Sequence, residues 1–313
     1  MAPSGERSRN YDGEVYAPVP LIGELNLNRR ERHVHTGLRT LVDSPGMTLG
    51  VVPHARRGVR SRIVTKQQHL TQSASRQAHA WWARNAYGGQ GRTRALQALE
   101  ASGIPRRSVL ASKDVLSAMA RGEALVRGAA TLSVPRRGSS GKSTRYLRLI
   151  QWRMVMAYAG FEVLAKACLG KNEQKGLDPE DIDHLASFCL RAPPNLEAPR
   201  LTSDTARWLR RSGKGEPIDI VADFLHLKSG HKQFMLEWFK GTPIATHAGA
   251  CHLAKILRNA TAHGVLSPSK CHGLGLTEAI RTTPKTINDI RSSLIQTIYE
   301  SRPEGERDSP GLP

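Results

Sequence analysis

Seven apolar side chains recur at three-and-four spacing along one stretch: Leu147, Ile150, Met154, Tyr158, Phe161, Ala165 and Cys168. An α-helix turns about 100° per residue, so this run places all seven on one stripe for about six turns. A strand sends alternate residues to opposite faces and would scatter the same set. The segment is therefore a long amphipathic helix, closed by Gly170, and its stripe demands partner helices. The rest of the chain supplies them. Asp178 and Pro179 read as N-cap and first turn of a second helix carrying Ile182, Leu185 and Cys189, stopped before Pro193-Pro194. A third spans Ser203–Arg211. A fourth runs from Pro217 through Ile220, Val221, Phe224 and Leu225; Gly230 breaks it, and His231–Phe239 continues it. A fifth begins near Thr242-Pro243 and passes Cys251, Ala254 and Leu257 to Gly264. A last one starts at Thr283-Pro284 and carries Ile287, Ile290, Leu294 and Ile298. No two-residue alternation competes with this pattern, so residues 144–300 read as an all-α bundle and the fold class as mainly α.

The front half is patterned differently. Residues 1–75 show no sustained period, only short β-like pieces at Glu14–Pro20 and Thr48–Val52, and read as a basic, low-order segment. Residues 76–134 read as a small helical region, with a helix from Arg94 and another over Lys113–Val126. Residues 135–143 have the Pro, Gly and Ser content of a linker and domain boundary. Residues 301–313 read as a disordered tail. Half of the 46 Lys+Arg but only a third of the 27 Asp+Glu precede residue 144, within a net charge of +19. Arginine, with its planar fork of donors, dominates that excess, and the fork suits phosphate. Arg56, Arg57, Arg60, Arg106, Arg107, Arg136, Arg137 and Lys142 are the candidate RNA-binding side chains. Charge alone carries no sequence specificity, so a solvated, solubilising segment is the competing reading. The adjacent Trp81 and Trp82 fit an anchor onto the bundle better than a base-stacking platform.

Several classes fall away. Four cysteines without a CxxC pair do not make a disulfide scaffold, and the expectation is a reduced, cytoplasmic protein. No stretch approaches the ~18 apolar residues of a membrane span, and the first residues carry no signal-peptide core. Gly138-Ser139-Ser140-Gly141-Lys142-Ser143-Thr144 lacks the first glycine of a phosphate loop, since position 136 is Arg. The steps Cys251-His252 and Cys271-His272 lack the closely spaced ligand pairs of structural zinc. No metal and no cofactor is expected.

The fifth helix ends in Arg258-Asn259-Ala260-Thr261-Ala262-His263-Gly264. The bare Arg-to-His spacing means little. With 33 arginines and 12 histidines about one such pair arises by chance, and Arg30 to His35 is a second example. The context is more specific: an amphipathic helix, Asn after Arg, small residues between, Gly after His. This segment resembles the RxxxxH motif of the HEPN superfamily. The layout of residues 144–300 is similar too, with Phe161-Glu162 in a long first helix and a further helix behind the motif. The resemblance implies a metal-independent endoribonuclease, plausible as a toxin or antiviral-defence effector, with Arg258, Asn259 and His263 as catalytic residues. It also implies RNA as substrate, a homodimer with facing motifs, and an acidic antitoxin or regulatory protein as partner. Arg258 and His263 point about 140° apart on an ideal helix. They converge only if the helix unwinds near Gly264 or if a two-fold axis brings two pairs together. Three competing readings stay open. The two side chains could simply complement the helix dipole. The bundle could be a dimerisation module of a non-catalytic nucleic-acid-binding protein. It could also be a scaffold or regulatory partner, for example of a nucleotidyltransferase.

Overall fold

The computed structural model describes residues 58–87, 91–112, 114–134, 144–171, 176–212, 216–225, 227 and 229–303; for residues 58–72 and 212 this extends to the backbone alone. These residues form the helices α1 (Gly58–Tyr87), α2 (Arg92–Ala101), α3 (Val115–Thr131), α4 (Thr144–Leu169), α5 (Pro179–Ser187), α6 (Ser203–Ser212), α7 (Pro217–Phe224), α8 (Ser229–Phe239), α9 (His247–Ala262), α10 (Pro268–Gly273) and α11 (Thr277–Glu300). No β-strand occurs among them; a single antiparallel bridge pairs Leu196 with Ile244. The fold is a helical bundle. No helix of the described residues is long and apolar enough to cross a membrane.

Three helices, α4, α9 and α11, form the spine. The α4 stripe is buried along its whole length, from Leu147 to Cys168. Its first half packs with Leu253, Ile256 and Leu257 of α9, Ile280 of α11, and Trp238 and Phe239 of α8. Its second half packs with Cys251 and Ala254 of α9, and with Ile287, Ile290, Leu294 and Ile298 of α11. The same three helices thus close two apolar regions, one capped by α6–α8 and α10, the other by α1–α3 and α5.

Several local expectations correspond to observed elements. α5 starts behind Asp178 with Pro179 in its first turn, and the Asp178 N–H donates to Asp181 Oδ2 at 2.9 Å. Trp82 is fully buried and Trp81 nearly so, its ring edge-on to Tyr299 at 5.8 Å, so both rings anchor α1 rather than face solvent. Other details differ. α1 begins at Gly58, inside the stretch that shows no period. α9 begins at His247, capped by the Thr246 hydroxyl, which accepts from the Gly249 N–H at 3.0 Å. α11 begins at Thr277, and Pro284 lies inside it. A helix-interior proline removes one N–H and crowds the preceding turn. The buried Ala279, Ile280 and Thr283 carry the stripe across it regardless.

The segments on either side of residues 135–143 are not separate bodies. α3 and α4 lie against each other so closely that a Cβ on Gly122 would meet the Leu164 nitrogen at 2.5 Å, and one on Gly160 would meet the Gly122 carbonyl oxygen at 2.7 Å. Glycine permits this backbone approach. A buried ion pair, Arg291 to Glu123 at 2.9 Å, ties α11 to α3, and Tyr87 of α1 donates to the same carboxylate. All the described residues fall in one compact unit, Arg56–Pro313. The sequence places a domain boundary where the structure has one continuous core. The reason is that α4 has a second apolar face, which α3 and α11 cover.

Candidate functional site

Arg258 lies on the α4-facing side of α9 and is half-buried. Its Nη2 donates to Glu162 Oε2 of α4 at 2.7 Å, and its Nη1 donates to Asn259 Oδ1 at 2.8 Å. Glu162 is shared: Lys166, one turn on, approaches its other oxygen at 3.5 Å. The Arg258 guanidinium also stands 5.6 Å from the ring centroid of Tyr158, a cation–π distance. The Tyr158 hydroxyl is buried and makes no hydrogen bond, and burial pushes its pKa far up. Tyr158, Glu162 and Lys166 thus form one i, i+4 row at the edge of the α4 stripe, and its ring and carboxylate hold the guanidinium in place.

His263 sits elsewhere. It is the C-cap of α9 and exposed. The helix does not unwind before it: the His263 N–H donates to the Asn259 carbonyl at 3.0 Å, an ordinary helical bond. The chain turns only at Gly264, at φ +73°, and the Leu266 N–H then closes onto the Ala260 carbonyl at 2.9 Å. The imidazole lines a cleft of about 590 Å³ together with Lys255, Asn259, His231 and Leu225. Lys255 is anchored there by donating to the Leu177 carbonyl at 2.7 Å. Asn259 is the link between the two sides, because it accepts from Arg258 and lines the His263 cleft.

One chain therefore brings Arg258 to Asn259, and Asn259 to His263, but sends the guanidinium and the imidazole to different surfaces of α9. Of the front-half cations, Arg107 is exposed. Arg106 is exposed too, and its side chain is paired: it donates to the Glu180 carbonyl at 2.9 Å and meets the fully buried Asp181 carboxylate at 3.4 Å. That pairing ties Arg106 to the start of α5. Arg60 belongs to α1, with its side chain outside the described residues. Arg56, Arg57, Arg136, Arg137 and Lys142 lie outside the described residues altogether, as do residues 1–57, the 135–143 linker and the last ten residues.

The sequence pattern by itself gives Glu162 no role beyond its place in the long helix, and Lys166, Lys255 and His231 none. The first two had a signal, an acid and a base four apart on the edge of an otherwise apolar stripe. Lys255 stands two turns before His263 on α9 itself, a spacing with no meaning until the cleft is seen, and His231 had no signal, since it comes from α8. Among the described residues no three His, Cys, Asp or Glu side chains group as a metal site. Cys251 and Cys271 are buried core thiols, and burial pushes Cys271 up to about 12. No family model, curated protein or solved structure matches the chain.

Proposed function

We propose that the chain is a metal-independent endoribonuclease of the HEPN type, working as a homodimer, with Arg258, Asn259 and His263 at its centre. The observation that carries this is the Glu162–Arg258–Asn259 chain of hydrogen bonds, which leads from the bundle core to the cleft containing His263. RNA brings its own nucleophile, the 2′-hydroxyl. Its attack on the adjacent phosphorus forms a 2′,3′-cyclic phosphate and expels the 5′-oxygen, which takes up a proton. An imidazole serves as acid or base near neutral pH. A guanidinium held by a carboxylate is oriented in advance for the charge that builds on the phosphorane oxygens. Because Arg258 and His263 leave α9 on different sides, one phosphate meets both only across a two-fold axis, the arginine from one protomer and the imidazole from the other. A toxin or defence role, and neutralisation by an acidic partner, fit a basic nuclease of this kind.

The deciding experiment is RNA cleavage by the purified full-length protein in excess EDTA, beside Arg258→Ala and His263→Ala. Cyclic-phosphate ends that vanish in both variants are expected, together with a dimeric mass in solution. A strictly monomeric protein, or equal cleavage by all three, would sink the proposal. A second reading, a non-catalytic RNA-binding dimer, draws on the same Glu162 pair, which already compensates the Arg258 charge. It predicts RNA binding unchanged in both variants and no cleavage.

A further inference from the structure

A second, smaller pocket of about 260 Å³ lies beside the His263 cleft. The Trp208 ring of α6 stands edge-on to Phe224 of α7, centroids 5.3 Å apart and planes at 86°. The Lys270 ammonium of α10 sits 4.4 Å from the Phe224 ring centroid. Leu274 completes an apolar lining with Asp204 at the rim. Trp208 is 43% exposed, the second most exposed tryptophan among the described residues after Trp152. The two cavities share a wall. Phe224 and Lys270 line one, Leu225 and Val265 the other, and Lys270 reaches the Val265 carbonyl at 3.5 Å.

The surround is cationic. α6 carries Arg207, Arg210 and Arg211, all exposed, and Arg207 meets Asp204 only at 3.5 Å on the surface. An aromatic-lined pocket beside the arginine edge of α6 suits a ligand with a π-face and a phosphate chain. We propose that this pocket is a nucleobase-stacking subsite for single-stranded RNA, with the strand's phosphates following Lys270 and the arginine edge of α6 toward the His263 cleft. The choice of RNA rests on the ribonuclease reading; the pocket does not. Trp208 acts as the stacking platform and Lys270 as a phosphate contact.

The test is equilibrium binding at fixed salt by the full-length chain carrying His263→Ala, which keeps the strand intact. One probe is a 12-nucleotide single-stranded RNA, the other an abasic strand of the same length. Adding Trp208→Ala is expected to weaken RNA binding about 5- to 100-fold and leave abasic binding unchanged. Trp208→Phe retains affinity within about threefold, which separates loss of stacking from loss of fold. Lys270→Gln lowers the salt slope by about one. Unchanged RNA affinity in Trp208→Ala overturns the proposal, as does an equal loss on both probes. If the chain with His263 intact cleaves RNA while Trp208→Ala changes nothing, the subsite fails and the nuclease stands. If binding depends on Trp208 but no cleavage occurs, the subsite stands and the nuclease fails.

Discussion

A half-buried guanidinium loses hydration that protein groups must replace, and at Arg258 the replacement comes from Glu162, Asn259 and the face of Tyr158. Glu162→Gln keeps an acceptor but removes the charge that orients the fork. In the ribonuclease reading kcat falls about 10- to 100-fold, with KM little changed and the melting temperature close to wild type; a wild-type kcat would release Glu162 from any positioning role. Two other residues carry a pH signature. Burial lowers the pKa of His79 and of His252 below the ordinary 6.5, against the opposing pull of Glu123 and Asp183. A base whose pKa is depressed on folding binds fewer protons folded than unfolded between the two values. Stability is therefore full above about pH 6.5 and is lost as pH falls through that value toward the folded pKa. The melting temperature should drop between pH 7 and pH 5, and His79→Gln with His252→Gln should flatten the slope. An unchanged slope in the double variant would assign the acid sensitivity to other groups.

Element boundaries follow from local chemistry where a cap or a stop is strong. Asp178 with Pro179 marks the start of α5, and Gly264 at φ +73° marks the turn behind α9. They fail where packing overrides propensity. Pro284 is a poor helix-interior residue, yet α11 runs through it because the turns on both sides are buried. The α3–α4 crossing is the element pair with the least tolerance. Gly122→Ala places a methyl 2.5 Å from the Leu164 backbone nitrogen, and neither backbone can yield without moving its helix. The expected cost is about 2–3 kcal/mol, read as a melting temperature roughly 5–10 °C lower. A neutral substitution would show that the two helices slide freely.

At the scale of the whole molecule, the helices before residue 135 complete the core. Trp82, Leu99, Leu116, Met119 and Val126 are buried in the same apolar region as α4 and α11, and Arg291 of α11 would keep a buried charge without Glu123 of α3. An unpaired buried charge is strongly destabilising. A fragment of residues 144–313 is therefore expected to be insoluble or to melt without cooperativity, whereas a fragment of residues 56–313 melts as one transition. Cooperative melting of the shorter fragment in calorimetry would restore the boundary at residues 135–143.

Taken by itself, the sequence determined the helical class, the stripe of α4, the N-terminus of α5 and the Arg-Asn-His-Gly end of α9, because these depend on periodicity and on contacts a few residues apart. The positions of Arg258 and His263 on different sides of α9 also follow from helix geometry alone. Only the tertiary structure decided that Glu162 holds Arg258, that Arg106 pairs with Asp181, that His231 joins His263, and that α1–α3 share the core. Each of those joins residues on segments far apart in the chain. No local spacing encodes such pairings; the burial of complementary faces selects them when the helices close on one another.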